Sequence, residues 1–223
     1  MRMAELVLYH NPAACSQVSR IALTEVGLDH RVELIDFALD EQNSPGYREL
    51  SPLGKVPLLT IDGEPLAENL AILTYIGVSK PDAGLFPPDG SPLAVAQRQS
   101  GLAFCSATLH PIVLGIALPS RLTDGDQDGV RSRATALAVR SYGFAEQRLT
   151  ERGWWLGAWS IVDVYLNWTI STARRGGFDF APFPLLDSLH DRLLERPAYA
   201  RVMEADAEAT ASMAARRAAS PAA

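Results

Sequence analysis

Short apolar runs separated by turn residues fill the first 80 positions of the chain. Residues 5–9 are an apolar run that predicts a strand. Val18, Ile21, Ala22 and Val26 then recur at helical spacing, and Gly27 follows as a stop. Residues 30–35 predict a second strand, so strand, helix and strand fall within about 30 residues, the span of a βαβ unit with parallel strands. Residues 58–61 and 65–67 predict two more strands around Asp62-Gly63, a two-residue hairpin signal. A helix over 69–78, with Leu70, Leu73 and Ile76 on one side, closes the unit. The order βαβ then ββα predicts a mixed four-stranded sheet covered by helices.

The pattern changes after residue 80. Residues 81–92 hold four prolines and two glycines, which sustain neither a helix nor an interior strand, and read as a linker. Beyond it, helical periodicity covers 93–118, 130–152, 161–175, 185–195 and 198–213. Gly153 ends the second of these and Pro197 separates the last two. The expected organisation is α/β plus all-α: an α/β domain over 1–80, the linker, an all-helical domain over 93–213, and a flexible tail over 214–223.

Composition narrows the class. Of 223 residues, 48% are hydrophobic and 21% charged, which supports a packed core. The net charge of −6 comes mostly from residues 1–80, where 6 Lys+Arg face 11 Asp+Glu. With no basic run beyond Arg174-Arg175 and Arg216-Arg217, nucleic acid is not an expected partner. Apolar residues 112–118 fall short of the roughly 20 that span a bilayer, so no membrane partner is expected. Glu5 interrupts the N-terminus before any apolar core of a signal peptide. Two cysteines do not suggest a disulfide scaffold, and a reducing, cytoplasmic setting is the expectation.

Cys15 opens the first helix after the first strand, where unpaired backbone N–H groups and the helix dipole favour a thiolate. That position predicts a Cys15 pKa below the free value and faster alkylation than at Cys105, which lies in an apolar helical pattern. Ser16 follows as a second donor or an ordinary helix start. Val56-Pro57 reads equally as a strand start or as a cis peptide that frees the Val56 backbone for an extended ligand. Glu68-Asn69 reads as a helix cap or as a polar pocket for a zwitterion. Ser160-Ile161-Val162-Asp163 is a capping box opening an apolar helix. His110 is a packed helix histidine or a donor, and scattered His and Cys give no metal-ligand spacing. Phosphate loops and Ser-His-Asp order signals are absent from the sequence.

Taken in order, these features resemble a thioredoxin-like domain followed by the helical domain of a cytosolic glutathione S-transferase. Pro12-Ala13-Ala14-Cys15-Ser16 is similar to the Pro-Gly-Ala-Cys-Ser signature of the bacterial beta class. Trp155-Leu156-Gly157 leading into Ser160–Leu166 is similar to the family's second-domain motif. The resemblance implies that glutathione is the co-substrate, without a metal, and that Cys15, with Ser16 and His110, faces its sulfur. It implies that Val56 beside cis-Pro57 pairs with the cysteinyl backbone, and that Glu68 and Asn69 hold the γ-glutamyl end. Thr172 and Arg175 would line the pocket of a small electrophile between the domains. It further implies a cytoplasmic homodimer that conjugates glutathione to hydrophobic electrophiles in detoxification.

The sequence also departs from that pattern: Asn69 stands for the usual Ser, Pro111 for a Lys, and His10 for a Tyr. The loop 37–46 has no Lys or Arg for the glycyl carboxylate. A thiol–disulfide or reductive enzyme (dehalogenating or ether-cleaving) bonded through Cys15, and a non-catalytic interaction protein, are the alternative readings.

Overall fold

The computed structural model describes residues 4–88 and 90–219. In chain order the elements are β1 (Leu6–His10), α1 (Ser16–Glu25), β2 (Arg31–Leu34), α2 (Pro45–Leu50), β3 (Leu58–Ile61), β4 (Glu64–Ala67) and α3 (Asn69–Ser79). There follow α4 (Pro92–Ala103), α5 (His110–Ala117), α6 (Gln127–Arg152), α7 (Ile161–Arg175), α8 (Pro184–Asp187), α9 (Leu189–Leu194) and α10 (Pro197–Ala219). They form two compact units, Met1–Ala83 with Glu195–Ala223, and Gly84–Leu194.

The sheet of the first unit has strand order β2-β1-β3-β4, with β1 and β2 parallel and the other pairs antiparallel. This is the predicted βαβ–ββα arrangement of a thioredoxin-like domain. Central β1 pairs on both sides, Leu8 lying opposite Val32 and Leu59. It therefore reads as a near-continuous apolar run instead of an alternating one. Asp62 and Gly63 both take positive φ (50° and 90°), as the hairpin signal requires. The short α2 and the 3₁₀ turns at Phe37–Leu39 and Glu41–Asn43 were not expected, because elements this short carry no periodicity.

Two boundaries differ from the sequence expectation. The last helix belongs to the first unit, not to a helical domain ending at residue 213. Its buried residues Ala198, Tyr199, Val202, Asp206 and Met213 form one stripe, and α10 packs on α1. The stripe and its ion pairs carry the helix through residues 214–219, which were expected to be a tail; residues 220–223 lie outside the described residues. Asp36, fully buried at the end of β2, receives the Arg217 Nε at 2.8 Å, and Arg196 pairs with Glu25.

In the second unit, α4, a π-helical turn (Phe104–Leu109) and α5 run on as one helical stretch, Pro92–Ala117. Its mean hydropathy reaches 1.5 over an 18-residue window, so it meets the length and composition of a membrane span. This corrects the short apolar stretch read from 112–118. Val113, Gly115 and Ile116 are buried and α5 packs against α6 and α7, while 39% of the whole apolar window is buried.

The capping box forms as predicted. Asp163 Oδ2 accepts from the Ser160 backbone N–H at 2.9 Å, and Oδ1 accepts from the Trp155 N–H at 2.8 Å. One buried carboxylate thus closes the α7 N-terminus and ties down the preceding loop. Trp155 stacks on Phe104 with ring centroids 4.9 Å apart. A Cβ at Gly101 would fall 2.5 Å from the Trp155 Nε1, so only glycine lets α4 approach that ring.

Candidate functional site

The turn between β1 and α1 carries the predicted cysteine. Asn11 builds it: Nδ2 donates to the Ile35 carbonyl at 2.8 Å, and Oδ1 accepts from the Ala13 N–H at 3.1 Å. Cys15 is the residue before the first turn of α1, as expected, and its thiol lies 3.8 Å from the Val56 carbonyl. The Val56–Pro57 bond is cis, the peptide geometry that the second reading of that dipeptide requires. Val56, Ile35, Tyr47 and Leu58 form an apolar cluster under this edge.

The expected low Cys15 pKa does not occur. Burial pushes the thiol up to about 12, and the opposing pulls of its own backbone N–H, of Asn69 and of Lys55 do not offset it, while Glu68 adds to the rise. Position at a helix end is therefore outweighed by desolvation at a residue only 7% exposed. Cys105 is likewise buried, and burial raises its pKa, in the expected direction.

Ser16 turns into the interior. It is fully buried, and its hydroxyl sits 2.8 Å from His10 Nδ1 while accepting from the Asn11 N–H at 3.1 Å. His10 Nε2 in turn lies 3.1 Å from Asp206 of α10. A Ser–His–Asp line thus exists in space that sequence order could not reveal, because His10 and Asp206 are 196 residues apart.

Asn69 also turns inward. Its Nδ2 donates to the Cys15 carbonyl at 2.7 Å, and its Oδ1 accepts from Ser19 at 2.5 Å. It is the first helical residue of α3 rather than the cap. The cap position falls to Glu68, which is exposed and takes φ 69° and ψ 121°, a region side-chain-bearing residues rarely adopt. Strain of this kind clusters at ligand sites. The Glu68 carboxylate stands at the start of α3, near enough to Cys15 for its charge to act on the thiol.

The sequence reading passed over Lys55. Gly54 at φ 61° permits the turn before it, where a Cβ would meet the Gln42 carbonyl at 2.7 Å. Tyr47 and Ser51 hydroxyls donate to the Lys55 carbonyl at 2.7 and 3.1 Å and fix the backbone leading to Val56. The ammonium is exposed and acts on the Cys15 thiol. Lys55 lies beyond the loop 37–46, which holds no Lys or Arg.

The second unit holds His110, Thr172 and Arg175. The His110 ring centroid is 4.6 Å from that of Trp168. Thr172 is buried and receives the Arg175 Nη2 at 2.8 Å, while Arg175 itself is exposed. Arg174 pairs with Asp187. Among the described residues no group of three or more His, Cys, Asp or Glu could hold a metal ion.

A thioredoxin-like sheet, a cis-proline edge and a polar helix start around one cysteine, continued by a helical unit, define a glutathione-transferase class of fold. The family model for the glutathione S-transferase N-terminal domain matches residues 13–78. The glutathione S-transferase GST-4.5 of Xanthomonas campestris pv. campestris is 31% identical over 194 residues, covering 84% of this chain and 92% of the relative. The maleylacetoacetate isomerase of Pseudomonas aeruginosa is 29% identical over 203 residues, covering 87% and 93%. Among solved structures, a glutathione S-transferase from Xylella fastidiosa superimposes with TM-score 0.83 at 26% identity, covering 91% of this chain and 99% of that one. A Sulfitobacter glutathione transferase homologue, solved with bound glutathione, gives TM-score 0.81 at 28% identity over 91% and 98%. The chain belongs to the glutathione S-transferase family.

Proposed function

We propose that the chain is a glutathione transferase of beta-class type that activates the glutathione thiol for attack on a small electrophile. Glutathione lies extended along the Val56 edge, where the backbone N–H and C=O of Val56 pair with its cysteinyl backbone. Glu68 receives the γ-glutamyl ammonium, and the first N–H groups of α3 receive its carboxylate. Lys55 receives the glycyl carboxylate and supplies the cation missing from 37–46. The glutathione S–H loses its proton to solvent. Its sulfur then bonds to the electrophilic carbon, and the leaving group departs with the electron pair.

The observation that carries this reading is the burial of Cys15. A thiol with a pKa of about 12 stays protonated near neutral pH. It donates a hydrogen bond to a neighbouring thiolate and is a poor nucleophile itself. That supports conjugation over the alternative in which Cys15 becomes covalently bonded. No step is assigned to Ser16, His110, Thr172 or Arg175.

A second reading, isomerisation of a double bond by reversible addition of the same thiolate, is favoured by the maleylacetoacetate isomerase relative. The test is calorimetric titration with glutathione, then turnover of an aryl halide and of a maleyl compound with product mass recorded. Conjugate formation supports the first reading; isomer with glutathione recovered supports the second. Absence of glutathione binding overturns both. A mixed disulfide on Cys15 after brief exposure to oxidised glutathione would restore the covalent alternative.

A further inference from the structure

We infer that Asp206 is a positioning residue for the Cys15 turn, acting from α10 through His10 and Ser16. The inference builds on the glutathione site proposed above, but its geometry lies wholly in the first unit. Asp206 is 3% exposed, and both of its oxygens are engaged. Oδ1 faces His10 Nε2 at 3.1 Å and pairs with Arg20; Oδ2 accepts from Gln17 Nε2 at 2.7 Å. Opposite a carboxylate, His10 Nε2 carries the proton, so Nδ1 is left to accept from the Ser16 hydroxyl at 2.8 Å, the Asn11 carbonyl at 3.2 Å being that hydroxyl's more distant acceptor. The Ser16 oxygen then accepts from the Asn11 N–H at 3.1 Å.

This line reaches the turn at both of its ends. Asn11 opens it and Ser16 closes it, and Cys15 lies between them. Gln17 adds a third tie, its Nε2 also lying 3.4 Å from the Pro12 carbonyl. His10 and Ser16 are both fully buried, so neither hydrogen bond can be replaced by bulk water when its partner is lost. A buried chain of this kind holds one geometry only while every member is satisfied.

The experiment compares Asp206→Ala, Asp206→Asn and Arg217→Gln. The last weakens the other anchor of α10, where Arg216 and Arg217 both meet Asp36, without touching the line to Cys15. The first readout is the rate of Cys15 alkylation by iodoacetamide with no glutathione present; the others are kcat, the KM for glutathione, and Tm. Asp206→Ala should speed labelling by about tenfold, a loss of about 1.4 kcal/mol of restraint on the turn, and should raise KM more than it lowers kcat. Asp206→Asn keeps an acceptor for the His10 Nε2–H and should recover most of both effects. Arg217→Gln should lower Tm while leaving labelling at the wild-type rate.

Labelling unchanged in Asp206→Ala, or accelerated equally in Arg217→Gln, overturns the inference. If Asp206→Ala does not fold, His10→Gln keeps an amide for Asp206 but cuts the link to Ser16, and it must show the same acceleration. Altered labelling in a protein that binds no glutathione would uphold the positioning role and reject the proposed substrate.

Discussion

The Asn69 side-chain amide donates to the Cys15 carbonyl at 2.7 Å, joining the start of α3 to the start of α1 across 54 residues. The same side chain accepts from Ser19, so it holds the helix that carries the thiol at two points. A shorter serine at position 69 would not reach both partners. Asn69→Ala should therefore cost about 2 kcal/mol, because a buried carbonyl and a buried hydroxyl lose their partners. Urea denaturation of the two proteins measures it; a cost within error of zero would show that water replaces the amide.

At Glu68 stability and binding should move in opposite directions. Its positive φ costs on the order of 1 kcal/mol for any residue with a Cβ. Glu68→Gly should raise Tm or leave it unchanged while weakening glutathione binding. A variant that loses both would mean that the carboxylate stabilises the fold and not the ligand.

For Lys55 the comparison is between ligands. Lys55→Ala should weaken glutathione binding by about fivefold, the scale of an exposed charge pair near 1 kcal/mol. It should leave binding of the glycyl ethyl ester of glutathione unchanged. Equal losses for acid and ester would place the glycyl carboxylate elsewhere.

The buried carboxylates give two opposed pH windows. Burial raises the pKa of Asp163 to about 6 despite hydrogen bonds from Trp155 and Ser160. The unfolded value is about 3.9, so the folded state binds this proton more tightly. The resulting stability is full below about pH 4 and declines as pH rises toward 6, by up to about 3 kcal/mol. Asp163→Asn should accordingly cost more at pH 4 than at pH 7, as read by thermal melts at both.

Asp36 and Asp206 run the other way. Burial works to raise both, but Arg217 and the Ala38 N–H at Asp36, and His10, Gln17 and Arg20 at Asp206, outweigh it and hold both below the ordinary range. Their stability is present above about pH 4 and is lost as pH falls through the lowered values. Arg217→Gln should therefore cost more at pH 6 than at pH 2.5; an equal cost at both would remove Asp36 as its partner.

Local physics was legible along the chain. Strand runs, helical spacing, the Asp62-Gly63 turn and the Ser160–Asp163 box depend on residues within about four positions of one another. They appear in the structure nearly where the pattern puts them. The position of Cys15 at a helix start was local too. Its burial was not, because desolvation depends on what packs over the thiol from Val56 and α3, and that reversed the expected acidity. Asn69 and Ser16 were recognised as polar residues at helix starts, yet their partners come from other elements and consume the groups assigned to a ligand. Tertiary packing alone decided that α10 returns to the sheet unit and brings Asp206 to His10, 196 residues away. Helical periodicity says which face of a segment is apolar, but the surface that buries it is set by the whole fold.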